Sequence, residues 1–209
     1  MRAQDHPGIT LHVWDNGTTA ASRALIERLT TPDERVFADA NLGFADAHNH
    51  LITRTSGTYY LCLNPDAVLA DGYVRALVEA LDAAPDAGSA TGRLLRLDAP
   101  DVIDSTRIVM TPDQRHLDRG ADLPASGRFE QGPERIFGPS GAVALYRRAM
   151  LDDVAFEGEY FDRAFFAYRE DADLAWRAQW RGWASLYVPS GIAWHRDRKS
   201  TRMNSSHAN

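Results

Sequence analysis

The sequence predicts an α/β fold with a mostly parallel central sheet flanked by helices, and three observations predict it. Short β-rich runs alternate with helical stretches through the first 95 residues or so, the pattern of successive βα units. Thr58 to Leu63 reads as a continuous buried-type strand that stops abruptly at Asn64-Pro65-Asp66. With 209 residues, 44% hydrophobic and 25% charged, the chain is sized for one domain with a substantial core.

Taken in order, Ile9 to Trp14 is a β-rich run ended by the turn signal Asp15-Asn16-Gly17. Thr19 to Leu29 takes helical spacing through Leu25, Ile26 and Leu29, and Arg35 to Ala38 is a second short strand. After the loop Asn41-Leu42-Gly43-Phe44, Ala45 to Thr53 reads as a helix. Proline cannot donate to a ladder, so the strand at 58–63 ends there and presents Asn64 and Asp66 at its carboxyl edge. Ligands of open α/β sheets bind at that edge. Asp71 to Ala84 is a helix with Asp71 as its N-cap and Val74, Leu77, Val78 and Leu81 as its apolar stripe, stopped by Pro85.

The second half reads differently. Asp98 to Pro139 is rich in Gly, Pro and charge and is expected to be irregular structure or a hairpin, with a strand at Ile103 to Met110. Ala142 to Tyr146 is a strand, Phe161 to Tyr168 an aromatic connector, Asp171 to Arg181 a helix, and Leu186 to Trp194 a closing strand region broken by Pro189. One domain over 1–197 is expected, with halves 9–95 and 96–197, followed by a polar, aperiodic tail at 198–209 that reads as disordered.

Composition excludes several classes of function. A net charge of −6 and a pI of about 5.6 supply no global field for nucleic acid or anionic lipid. The single cysteine, Cys62, rules out an internal disulfide framework, fits a reducing cytosol, and sits in an apolar run where packing is its expected role. Met1 to Gly8 lacks the apolar core of a secretory signal, and no apolar run approaches the ~20 residues of a membrane span.

Three acidic sites stand where a strand or loop ends: Asp15 with Asn16, Asp66 in Asn64-Pro65-Asp66, and Glu170-Asp171 with Asp173. Each alone also admits a plain structural role, as a turn, a turn cap, or carboxylates that favour a helix N-terminus. His195 alone is equally a packing or surface residue, and Trp176, Trp180 and Trp183 read as core or helix-packing residues.

Order and spacing change that reading. Val13-Trp14-Asp15-Asn16-Gly17-Thr18, Asn41 through Asn49, Leu63-Asn64-Pro65-Asp66-Ala67 and Gly138-Pro139-Ser140-Gly141-Ala142 are followed by Tyr146-Arg147-Arg148. Then come the string Phe165 to Arg177, containing Glu170-Asp171-Ala172-Asp173-Leu174, and Gly182-Trp183, Val188-Pro189 and His195. From about Ile9 to Arg196 this resembles the family 2 glycosyltransferases, within them most closely the bacterial rhamnosyltransferase-like branch.

The resemblance implies a GT-A fold whose first half binds a nucleotide-sugar donor and whose second half binds an acceptor. It places Asp15 and Asn16 at the nucleobase, Asn41, Gly43 and Asn49 beside the nucleoside, and Asn64 and Asp66 at the diphosphate. Asp66 matches the last aspartate of the family's Asp-x-Asp motif; Asn64 stands where the first often is, leaving one carboxylate fewer for a Mg²⁺ or Mn²⁺ cofactor. His195 lies where several members add a metal ligand. Asp171 matches the general base of an inverting transfer, with Glu170 beside it to orient acceptor or loop; Arg177 is expected to pair with Asp173 at i,i+4.

The implied partners are a donor such as dTDP-rhamnose and a glycan or lipid-linked sugar acceptor of a cell-surface polysaccharide. They would meet at the cytoplasmic membrane face, although no membrane-binding helix is visible. The family's first strand–helix unit, which precedes the Asp15 strand, is not found ahead of Ile9, and the tail does not continue the family pattern. A fragment of a longer protein is therefore expected, with the strands ending at Asp15 and Asp66 lacking their shared neighbour. The competing readings are a truncated or degenerate domain that keeps the fold and binds sugar nucleotide weakly or not at all, and a nucleotidyltransferase. The second needs a Gly-rich phosphate loop with a basic residue, and none is visible.

Overall fold

The computed structural model describes residues 1–196; the tail expected at 198–209 lies outside the described residues. Strand β1 (Val13–Asp15), helix α1 (Ala20–Leu29) and strand β2 (Arg35–Phe37) come first, then α2 (Gly43–Thr53), β3 (Tyr59–Leu63), β4 (Ala67–Leu69), α3 (Tyr73–Asp82) and β5 (Ala87–Arg96). The segment expected to be irregular carries β6 (Ile103–Ser105), β7 (Ile108–Met110), β8 (His116–Asp118) and β9 (Glu134–Ile136). Then follow β10 (Val143–Arg147), α4 (Arg148–Val154), a 3-10 turn at Arg163–Phe165, α5 (Glu170–Trp180) and β11 (Ala184–His195).

The α/β expectation holds. The main sheet runs β3-β10-β5-β11-β4, with β6 on β5 and β9 on β11. β5 and β11 pair parallel, and β10 pairs antiparallel with both β3 and β5, so β3, β5 and β11 share one direction. Side-chain alternation sorts the two faces. On β3, Leu61 and Leu63 pack with Val143 and Leu145 of β10 under α3. Tyr60 and Cys62 pack with Ala144 and Tyr146 against α2, α4 and α5 on the other face. The result is helices on both sides of a sheet whose two cores are fed by odd and even residues of the same strands.

The stripe Val74, Leu77, Val78 and Leu81 is buried as expected, with Tyr73 added to it. Asp71 is not the cap of α3. Gly72 takes that position at φ +76°, where a Cβ is costly, and Gln4 Oε1 accepts from Val74 N, meeting an otherwise orphaned first-turn amide. The single strand expected at 103–110 is two, because Thr106 and Arg107 leave the β5 ladder and β7 turns to pair with β8. Trp180 is exposed rather than packed, edge-on to Trp176.

β1 and β2 pair parallel in a sheet of their own, unbonded to the seven-stranded one. α1 buries no residue, and Leu25 and Leu29 stay exposed beside a cleft of about 390 Å³ that Met1, Leu11 and Val13 help to line. No described helix is long and apolar enough to cross a membrane.

Candidate functional site

Strand register builds the first cluster. Pro65 forces the chain out of β3, and the turn is closed by Ala67 N donating to Asn64 O. β4 then pairs antiparallel with β11 so that Ala67 faces His195, and Arg196 N donates to Asp66 O. Residues 129 positions apart are thereby adjacent: His195 Nε2 is 3.4 Å from Asp66 Oδ1 and 3.5 Å from Asn64 Nδ2. On its other side His195 Nδ1 is 2.9 Å from Oδ2 of Asp104, a residue the sequence did not single out because it lies in the Gly/Pro-rich segment.

The donor chemistry of this cluster fits a divalent cation. A carboxylate oxygen and an imidazole nitrogen suit Mn²⁺, and two adjacent ligands of an octahedral ion stand roughly 3.0 Å apart for bonds of ~2.1 Å. Among the described residues no group of three or more His, Cys, Asp or Glu is arranged to hold a metal ion. Asp66 and His195 supply two donors that a cation could share, leaving its other positions to water or to a ligand's oxygens.

The second cluster surrounds Asp171. α5 opens at Glu170, and the carboxylate of Asp171 accepts from its neighbour Ala172 N at 2.8 Å and from Gly141 N at 2.8 Å. Gly141 is closely packed: an added Cβ would lie 3.3 Å from the Phe44 ring and 3.4 Å from Asp171 Oδ2, so the Phe44 ring would have to give by a few tenths of an ångström. Cys62, buried as expected, holds the same residue through its next peptide by donating its thiol to Gly141 O. Asn64 N donates to Ala142 O. The two clusters are thus joined through the start of β10, at the carboxyl end of β3.

The third cluster is the one expected at the nucleoside. Asp15 is buried and its Oδ1 accepts from Thr18 N at 2.9 Å, the turn that the sequence also allowed. Asn16 ties this turn to the next loop, donating to Gly43 O and accepting from Leu42 N, while Asn41 Oδ1 accepts from Gly43 N. Asn49 is buried with every contact to main chain: it donates to Phe161 O and accepts from Tyr160 N and Phe161 N. That geometry holds the 160–161 segment on α2 and presents no polar group outward.

Gly43 brings the 41–44 loop onto the loop that precedes α5. Its φ is +81°, and an added Cβ would stand 2.7 Å from Phe166 Cδ2. Phe166 O in turn accepts from Phe44 N at 2.6 Å, capping α2. Phe166, Tyr168 and Arg169 all have positive φ, an uncommon run for residues with side chains, and Phe166 and Tyr168 are exposed beside the start of α5. Arg177 pairs with Asp173 at 2.8 Å and also holds Val154 O and Tyr160 O, as the i,i+4 spacing suggested.

Glu170 departs from the role expected of it. It is 4% exposed and points inward, its Oε2 lacking a hydrogen-bond partner. Burial, followed by the charge of Asp171, raises its carboxyl to about 7. A carboxyl raised from 4.5 binds protons in the folded chain that the unfolded chain has lost, so stability is expected to fall as pH rises from about 5 to about 8. The loss is on the order of 3 kcal/mol. Glu170→Gln should flatten that slope and raise the melting temperature at pH 8, as thermal unfolding across the range will show.

Comparisons with known proteins bear on the family and the fold. A family model described as glycosyl transferase family 2 matches residues 1–155. N-acetylglucosaminyl-diphospho-decaprenol L-rhamnosyltransferase of Mycobacterium tuberculosis, in strains CDC 1551 and H37Rv, is 30% identical over 90% of the chain. The chain spans 66% of that relative's length. The mannosyltransferase PcManGT of Pyrobaculum calidifontis, solved with GDP-Man and Mn²⁺, has a TM-score of 0.64 at 17% identity, covering 98% of this chain and 54% of that one. GalNAc-T7, solved with UDP, GalNAc and Mn²⁺, has a TM-score of 0.69 at 12% identity, covering 88% and 37%. S. aureus TarS 1-349 gives 0.62 at 15%, covering 93% and 53%. The fold is that of these GT-A glycosyltransferases.

Proposed function

The chain belongs to glycosyl transferase family 2, and from that premise we propose that it transfers a sugar from a nucleotide-sugar donor to an acceptor hydroxyl, with inversion, using Asp171 as general base. The observation that carries the reading is the fixing of Asp171 by two amide donors at the carboxyl edge of β3. Both oxygens are oriented by N–H groups, yet a carboxylate retains lone pairs for one more donor, the acceptor hydroxyl. Taking that proton makes the oxygen nucleophilic as the anomeric carbon passes through an oxocarbenium-like state. A single displacement from the side opposite the leaving diphosphate inverts the anomeric centre.

Asp66 and His195 would hold a divalent cation against the donor diphosphate, with Asn64 beside them. Such a cation, when bound, offsets the charge that develops on the leaving nucleoside diphosphate. Asp15, Asn16, Asn41 and Gly43 would form the floor under the nucleoside, largely through the loop shape their hydrogen bonds fix. The likeness to the mycobacterial enzyme favours a rhamnosyl or related deoxyhexosyl donor and a sugar-diphospho-polyprenol acceptor.

A second reading, donor binding without transfer, is favoured by one observation: among the described residues β1 and β2 form a sheet apart from the main one, and the 41–44 loop is tied by Asn16 and by the α2 cap on Phe166 O. A transfer and hydrolysis assay over a panel of nucleotide sugars, with and without Mn²⁺, separates the two. Mn²⁺-dependent release of one nucleoside diphosphate is expected; binding of a sugar nucleotide with no turnover would favour the second reading.

A further inference from the structure

We propose that Asp104 is a positioning residue of the cation site, holding the His195 ring so that Nε2 faces Asp66. The proposal rests on the cation reading above. It begins with a local irregularity in the sheet. On β6, Ser105 faces Leu94 and Ile103 faces Leu95, consecutive residues of β5, so Asp104 is the extra, unpaired residue of a β-bulge. Ile103 and Ser105 are both buried beneath the strand. A bulge leaves its extra residue out of the ladder, bends the strand locally and so re-aims that side chain. β5 lies between β6 and β11, and the re-aimed Asp104 meets His195 at 2.9 Å.

The chemistry of that contact fixes the ring. A carboxylate only accepts, so a neutral His195 facing Asp104 through Nδ1 carries its proton there and keeps a lone pair on Nε2. The Asn64 amide nitrogen, a donor only, also faces Nε2, at 3.5 Å. Asp66 Oδ1 stands 3.4 Å from Nε2, near the separation of adjacent ligands on one ion. Both Asp104 and His195 are 16% exposed, so solvent competes little for the bond. A carboxylate behind a metal-binding histidine sets its tautomer and orientation, and its loss generally weakens metal affinity by roughly 10- to 100-fold.

The test uses the full chain and Mn²⁺ alone, with binding read by water-proton relaxation enhancement. Asp104→Ala is expected to weaken Mn²⁺ binding at least about tenfold, and Asp104→Asn, which keeps an acceptor oxygen, less. In the His195→Ala background Asp104→Ala should add nothing. A metal-free readout accompanies this: ring-nitrogen NMR at alkaline pH should find His195 protonated at Nδ1 in the parent chain, with the proton redistributed toward Nε2 in Asp104→Ala. An unchanged tautomer, an unchanged Mn²⁺ affinity, or an equal loss in the His195→Ala background would each overturn the proposal. If His195→Ala and Asp66→Ala themselves leave Mn²⁺ binding unaltered, the cation reading fails first. Should Asp104→Ala not fold, Asp104→Leu, of the same branching though larger and with no acceptor, replaces it in every arm.

Discussion

Asp171→Asn is expected to lower kcat by roughly 10²- to 10⁴-fold, the usual contribution of a positioned general base, while donor affinity changes less than about twofold. The amide is isosteric and keeps one acceptor oxygen, so one of the two bonds from Gly141 N and Ala172 N survives. Losing the other costs about 1–2 kcal/mol of stability, a modest fall in melting temperature. Single-turnover transfer and equilibrium donor binding, measured on the same preparation, check the split. If both fall together, Asp171 is a structural cap for α5 and not the base. Glu170 does not substitute for it, being buried on the inner side of the same turn.

How much of this was legible in the sequence depended on whether a residue's partner was local. The α3 stripe was, because 3.6-residue spacing fixes the buried face before any tertiary contact exists. The end of β3 was, because proline removes a donor wherever it stands. Asp104 was not. Its importance comes from a bulge against β5 and from an imidazole 91 positions away, and nothing within its own segment marks either. Gly141 stood in a recognised string, but its work as an amide donor to Asp171 is a main-chain property that residue identity does not announce. Asn49 shows the opposite case: a polar residue in a motif, expected at the nucleoside, whose buried amide is taken up by Tyr160 and Phe161. Polar identity marks a candidate; only packing tells whether its hydrogen bonds are already committed.

Asp66→Ala is expected to weaken cation-dependent donor binding by at least roughly 100-fold, since removing a direct ligand costs no less than removing its support. On the proposed reading the site offers two protein donors, Asp66 and His195, with Asn64 where a second carboxylate would strengthen it, and the Asp104 carboxylate is engaged at His195 Nδ1. Stability should respond far less. His195 keeps its bond to Asp104, and the turn is held by main-chain bonds from Ala67 N and Arg196 N that need no side chain at 66. Donor titrations with and without Mn²⁺, set beside thermal unfolding, check both halves. A chain that loses stability but keeps its cation-dependent donor affinity would mean that Asp66 and His195 are an ion pair closing the β4–β11 edge, and the diphosphate would then have to be held elsewhere. A chain that keeps its stability and loses the cation dependence puts the cation where β3 ends, beside Asp66 and His195. The start of β10, which donates Gly141 N to Asp171 and offers Ala142 O to Asn64, would then link the base to the cation cluster.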